Sequence, residues 1–226
     1  MTNTQERKAR VLKDLSVIVP TLNAGEELAR LIAQLDGVGE VIISDGGSDL
    51  HPDGDVVVTG PPGRGGQLAR GAKMAHGAWY LFLHADSRLP DGWEEAVEAH
   101  MASSSDAAAF RLRFDSAGLA PRIVAGWANL RSSLGLPYGD QGLLVSAMRY
   151  ELVGGYPDIP LMEDIAIVRA LGRIRILPFA ITTSGQKFER DGWFRRGAAN
   201  MRTFARYWMG ADPAALARHY AGRDQS

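Results

Sequence analysis

Four carboxylates lie where the chain turns out of regular structure, and each is of a type that can do chemistry. They are Asp45 in Ser44-Asp45-Gly46-Gly47-Ser48-Asp49, Asp86 in His84-Ala85-Asp86-Ser87, and the pair Glu163 and Asp164 in Pro160-Leu161-Met162-Glu163-Asp164. Asp86 closes Trp79-Tyr80-Leu81-Phe82-Leu83, an apolar run without alternation that suits a central parallel strand covered on both faces. A carboxylate there can hold a divalent cation against a phosphate, because hard cations take oxygen ligands. Glu163 and Asp164 open the run 165–171, and a carboxylate at a helix start can take a proton from a hydroxyl. Neighbouring helical side chains point about 100° apart, so one of this pair is expected to face a shared cleft. Asp45 can accept hydrogen bonds from a uracil N–H or a ribose hydroxyl, while its plainer role is to close a tight turn.

Four further segments surround these. Pro20-Thr21-Leu22-Asn23 can turn hydroxyl and amide groups towards a base or ribose, or Thr21 or Asn23 can cap a helix. Pro61-Pro62-Gly63-Arg64-Gly65-Gly66-Gln67 leads into a helix whose dipole is receptive to phosphate, with Arg64 adding charge and Gln67 close by. It is neither a Walker loop nor a dinucleotide fingerprint, since it has no Gly-Lys-Ser/Thr and Leu68 stands where the third Gly belongs. In Tyr138-Gly139-Asp140-Gln141-Gly142, Asp140 and Gln141 either bond sugar or acceptor hydroxyls or support their own loop. The tail interleaves Lys187, Arg190, Arg195, Arg196, Arg202 and Arg206 with Phe188, Trp193, Phe194, Phe204, Tyr207 and Trp208. It reads as a lid packing on the domain, with Trp193 a candidate sugar or acceptor contact, or as a basic aromatic helix on an anionic membrane near a lipid-linked acceptor.

Elements must alternate to gather these segments. Residues 15–19, 41–44, 55–58 and 79–83 read as strands, and 26–35 as a helix with Leu28, Leu31, Ile32 and Leu35 on one face. Helices follow over 66–76 and 91–100. This order implies an α/β fold with a mainly parallel sheet wrapped by helices. Its ligand crevice lies beyond the carboxyl ends of the strands. In the second half, 107–114 reads as a strand, 120–134 as a helix, 142–146 as a short strand, 163–171 as a helix and 173–181 as extended. Residues 188–220 read as helical with a break near 210–213. The expected organisation is one domain over 1–185 and a C-terminal helical extension of it over 186–226.

Composition narrows the class. The 226 residues are 46% hydrophobic and 23% charged, ordinary for a globular protein, and a net charge of −1 offers nothing to nucleic acid. The absence of cysteine excludes disulfides and thiolate metal sites. Residues 1–13 are polar and resemble neither a signal peptide nor a membrane span, and no run approaches the ~20 apolar residues that cross a bilayer. A cytoplasmic protein is expected, with peripheral membrane contact through the tail as the alternative.

Taken in order, these motifs resemble the inverting family-2 glycosyltransferases of the GT-A fold, over residues 15–171. Residues 15–23 match the opening strand, 44–49 the Asp-Gly-Ser-rich nucleoside loop, 81–90 the strand-borne Asp-x-Asp metal motif with its trailing Pro, and 162–171 the Glu-Asp helix. Leu-His-Ala-Asp, Tyr-Gly-Asp-Gln-Gly and Leu-Met-Glu-Asp, at 83–86, 138–142 and 161–164, are similar to a bacterial subgroup known as radical-SAM/selenodomain-associated glycosyltransferases. Two positions depart from the family pattern: His84 replaces the first metal-motif Asp, and Gly46 the second nucleoside-loop Asp.

The resemblance implies transfer of a sugar from a nucleoside diphosphate donor, UDP-linked, to an acceptor hydroxyl. Asp164 is then the base, with Glu163 its neighbour or substitute. Pro20, Thr21, Asn23, Asp45, Arg64, Gln67, Ala85 and Asp86 hold the nucleotide. Asp86 binds Mg²⁺ or Mn²⁺, the latter favoured if His84 also coordinates, since imidazole suits later divalent metals. A nucleotidyltransferase and a non-catalytic nucleotide-sugar-binding module are the competing readings.

Overall fold

The computed structural model describes residues 12–50 and 52–224, so most of the polar segment read above, residues 1–11, lies outside the described residues. The elements run β1 (Leu15–Thr21), α1 (Gly25–Ile32), β2 (Glu40–Asp45), β3 (Val56–Thr59), α2 (Arg64–Ala72), β4 (Trp79–Phe82), α3 (Trp93–Ser103), β5 (Ala107–Phe114), α4 (Leu119–Ser133), β6 (Leu143–Ser146), α5 (Ala147–Leu152), α6 (Glu163–Leu171), β7 (Ile174–Thr183), α7 (Gln186–Asp191), α8 (Trp193–Trp208) and α9 (Pro213–Asp224). A 3₁₀ turn, Gly139–Gln141, precedes β6.

The strands form one seven-stranded sheet in the order β3-β2-β1-β4-β6-β5-β7. It is mostly parallel, as expected. The exception is β6, which runs antiparallel to both β4 and β5. β4 is central as expected, paired in parallel with β1 on one side and antiparallel with β6 on the other. Its unbroken apolar run has the expected cause. Leu81 and Leu83 belong to the core on one face of the sheet, Tyr80 and Phe82 to the core on the other.

One face is covered by α1, α3 and α4, through Leu28 and Leu31, Trp93 and Val97, and Ala125. The other is covered by α2 and α6, through Leu68 and Ala72, and Ile167, Val168 and Leu171. The tail differs from a single broken helix. Gly192, with φ 86°, interrupts it between α7 and α8 in a backbone region that favours glycine. Phe188 and Trp193, on either side, stack at 5.1 Å and pack against Phe114 of β5. These aromatics thus face the domain. Among the described residues, no helix is long and apolar enough to cross a membrane.

Candidate active site

Parallel pairing brings the carboxyl ends of β1, β2 and β4 to one edge of the sheet, with Thr21 opposite Asp45 and His84-Ala85-Asp86 just beyond Phe82. The reversed strand β6 begins at that same edge, which carries Tyr138, Gly139 and Asp140 there. β7 lies parallel to β5 and ends with Thr183 beside Phe114.

Two adjoining cavities open along this edge. One, of about 420 Å³, is lined by Pro20, Thr21, Asn23, Gln67 and Ala85 among others. The second, of about 320 Å³, is lined by Tyr138, Asp140, Glu163 and Asp164 among others. Arg64, His84, Asp86, Ser184 and Lys187 line both, forming the wall between them.

Arg64 is the electrostatic centre. Its Nε pairs with Glu163 Oε1, Nη2 lies 3.5 Å from Asp164 Oδ2, and Nη1 lies 3.3 Å from His84 Nε2. Sequence reasoning expected one member of the acidic pair in the cleft. Both line it, because Arg64 sits between them and engages both. Burial pushes the Glu163 carboxyl up, with Arg64 opposing that shift. Since guanidinium only donates, His84 Nε2 is the acceptor and the ring is neutral, a tautomer assigned from the hydrogen-bond network. Burial, together with the Arg64 charge, holds this imidazole down at about 4.

Asp164 is oriented by backbone: Gly139 N–H donates to Oδ2 at 2.9 Å and Ile165 N–H to Oδ1 at 2.8 Å. The residue before the pair, Met162, adopts φ 67°. The other non-glycine residue with positive φ among the described residues is Asn23, so both flank the cavities. Such strained positions gather at functional sites.

Asp140 lines the second cavity, and its Oδ1 is buried without a hydrogen-bond partner. Burial lifts its carboxyl to about 6, opposed by Arg131 and Arg64 and reinforced by Asp164 and Asp86. The folded state thus binds this proton more tightly than the unfolded chain. Its contribution to stability falls as pH rises from about 4 through 6, and the cost is complete above that. Asp140→Asn is expected to stabilise the protein by about 2 kcal/mol at pH 8 and to have little effect at pH 4. Thermal denaturation at the two pH values checks this, and equal shifts at both would refute it.

Several other expected site residues are held by partners within the protein itself. Asp45 is bound to its own loop, its Oδ2 accepting from Gly47 and Ser48 N–H at 2.9 Å each and its Oδ1 bonded by Ser48 Oγ. It lines neither cavity. Asn23 does line the first, and it clasps the same loop by accepting from Asp49 N–H at 2.8 Å. Gln67 borders the first cavity, but its amide clamps backbone, donating to Thr21 O and Ser44 O and accepting from Gly63 N–H. Gln141 is fully buried, accepts from Ser132 Oγ at 2.6 Å and donates to Phe110 O at 2.9 Å, so it supports its loop. Trp193 packs in the aromatic cluster with Phe114 and Phe188, and Phe188 is the member of that cluster's tail that lines the second cavity. Sequence reasoning missed Ser184 and Lys187 as cavity residues. The end of a strand at Thr183 was the available signal.

The donor set fits a divalent cation in one way only. Among the described residues, no three His, Asp or Glu side chains are grouped to hold a metal. Asp86 offers a single carboxylate, which accepts from Thr183 Oγ1 at 3.3 Å. That suits an ion which takes most of its ligands from substrate phosphates and water. His84 does not fit as a ligand, because its Nε2 faces a permanent cation, Arg64.

The glycine-rich segment serves packing at the start of α2. A Cβ on Gly65 would run into the Pro157 carbonyl oxygen and lie 3.2 Å from Glu163 Cβ. This close approach sets Arg64 beside the acidic pair. Gly65→Ala gains about 1 kcal/mol of helix propensity, against roughly 1–3 kcal/mol for overpacking on rigid backbone. A thermal midpoint lowered by about 2–4 °C is expected. An unchanged or raised midpoint would show that the 157–159 segment yields freely.

Residues 16–126 match the model of Glycosyl transferase family 2. No curated protein matches the chain. Among solved structures, S. aureus TarS is 17% identical with a TM-score of 0.57, covering 81% of this chain and 39% of that one. The TarS 1–349 structure in complex with UDP is 17% identical with a TM-score of 0.56, over 78% of this chain and 62% of that one. The mannosyltransferase PcManGT from Pyrobaculum calidifontis, in complex with GDP-Man and Mn²⁺, is 20% identical with a TM-score of 0.61, over 94% of this chain and 73% of that one. This chain therefore spans well under half of the first TarS chain. At these identities the likeness concerns the fold, a GT-A-like sheet with helices at the C-terminus. The stretch that matches Glycosyl transferase family 2, residues 16–126, includes Arg64, His84 and Asp86 of the wall between the two cavities.

Proposed function

We propose that the chain is an inverting hexosyltransferase that takes its sugar from a UDP-linked donor. The observation that carries this reading is the wall shared by the two cavities, which sets Arg64, Lys187 and Asp86 between the first cavity, read as the nucleotide pocket, and Asp164. That similar folds hold UDP or GDP-Man supports a nucleoside diphosphate donor. The three short motifs at 83–86, 138–142 and 161–164 support membership of the radical-SAM/selenodomain-associated subgroup. In this reading residues 1–185 form the transferase unit and 186–226 its helical extension, which supplies Lys187.

Pro20, Thr21, Asn23 and Ala85 border the nucleoside. Arg64 and Lys187 face the diphosphate, where fixed cations stabilise charge that develops as it leaves. Asp86 would hold a divalent cation, which when bound offsets that same charge. The acceptor oxygen approaches the anomeric carbon opposite the diphosphate, its new C–O bond forms as the old one breaks, and Asp164 takes the hydroxyl proton. Gly139 and Ile165 N–H hold that carboxylate in place, which is a positioning requirement.

The test is incubation of the full chain with a panel of UDP- and GDP-hexoses and Mn²⁺, measuring nucleoside diphosphate binding and release. UDP release from at least one donor is expected. Release of GDP alone would overturn the donor assignment, and binding without release across the panel would favour a non-catalytic module. Absence of any binding would overturn the whole reading.

A further inference from the structure

Between α4 and α8 runs an apolar groove of about 500 Å³. Ile123, Trp127 and Leu130 line it from α4, Phe194 and Met201 from α8, and each of these five is between 47% and 62% exposed. Apolar side chains exposed together on one surface, unlike single scattered ones, mark binding surfaces. The groove is concave and of small-ligand size.

Its inner end is continuous with the second cavity, because Phe114, Tyr138, Asp140, Phe188 and Asn200 line both. Three polar atoms are buried there without a hydrogen-bond partner: Arg131 Nη2, Tyr138 Oη and Asp140 Oδ1. Arg131 lies over the face of the Tyr138 ring, 3.2 Å from its centroid. Buried polar atoms without partners need an explanation, and a ligand that carries polar groups supplies one. An occupant of this place is thus polar where it meets Asp140 and Tyr138, and apolar from there outwards.

We infer that the acceptor is an amphiphile: a hydroxyl-bearing head held at Arg131, Tyr138 and Asp140, within reach of Asp164, on an apolar chain that lies in the α4–α8 groove. This names the acceptor class of the transferase reading and rests on it. In the step, the head's oxygen bonds to the anomeric carbon, the carbon–diphosphate bond breaks, the proton passes to Asp164, and the nucleoside diphosphate departs. A flat face would suit a second copy of this chain; a concave groove with a polar inner end suits a small amphiphile.

The test compares binding of n-decyl β-glucoside, below its micelle concentration, with methyl β-glucoside, using the full chain. The decyl compound is expected to bind at least about tenfold more tightly, as burial of its extra methylenes requires. Met201→Glu and Ile123→Glu, both at exposed positions, are expected to remove that advantage while leaving the thermal midpoint and UDP affinity unchanged. Equal binding of the two glucosides, or a decyl advantage that survives both substitutions, overturns the inference. Loss of a dimer in either variant, with no decyl advantage in the parent, assigns the face to a second copy and also overturns it. Failure of UDP to bind the parent protein instead overturns the transferase reading, a result independent of the glucoside comparison.

Discussion

Asp164→Asn is expected to lower kcat by roughly 10²- to 10⁴-fold, the range for loss of a positioned proton acceptor. UDP affinity should stay within about threefold of the parent, because the substituted group contacts the acceptor rather than the nucleotide. The amide keeps the carboxylate's shape but can accept at one oxygen only. One of the two backbone donors, Gly139 or Ile165 N–H, then loses its partner. That costs about 1 kcal/mol of stability, too little to unfold the domain. Glu163 is a poor substitute, being 1% exposed and paired with Arg64, whereas Asp164 is 8% exposed. Steady-state kinetics with UDP titration reads both effects. Unchanged turnover would remove Asp164 from the role, and a parallel loss of UDP affinity would show that the substitution disturbs the whole site.

Arg64→Ala is expected to act on stability and donor binding together. Removing the guanidinium strands Glu163 and Asp164, both buried, as uncompensated carboxylates. Breaking a buried pair in this way costs about 3–5 kcal/mol, reduced here to roughly 2–3 kcal/mol because water reaches the cavity. The Arg64 side chain itself is 38% exposed. A midpoint lowered by about 4–10 °C at pH 8 follows for a chain of this size. The loss should shrink towards pH 5, since burial already raises the Glu163 carboxyl and protonation relieves the stranded charge.

The second substitution Glu163→Gln separates the two roles. Added to Arg64→Ala, it should recover more than half of the lost stability and none of the lost donor affinity. Full stability of the single variant at pH 8 would contradict the buried-pair account. Unaltered donor affinity would detach Arg64 from the phosphates.

The helix Glu163–Leu171 and the strand Ala107–Phe114 were legible to the residue, because each is bounded by a local signal. Acidic residues open the helix and Gly172 closes it, while Arg111 and Arg113 alternate with buried Leu112 and Phe114 in the strand. The reversed direction of β6 was not legible. Four residues, Leu143–Ser146, give the same apolar pattern in either direction, and only pairing with β4 and β5 sets the choice. That choice carries Tyr138, Gly139 and Asp140 to the site, which places part of the chemistry beyond any local reading.

Among the site residues, the divide follows the range of the interaction. Asp45, Gln141 and Trp193 were candidates by type, yet each found partners close in sequence or in the core: Gly47 and Ser48, Tyr138 N–H and Ser132, and Phe188. Local backbone donors outcompete a ligand for a short carboxylate or amide. Periodicity and side-chain type, read along the chain, suffice for the alternating α/β order, the strand ends and the residues able to do acid–base or phosphate chemistry. Which of them meet is set by the fold: Arg64 with Glu163 and Asp164, about a hundred residues away, and Gly139 N–H with Asp164. Such contacts arise from sheet order and close helix packing, and neither is written in any single stretch of chain.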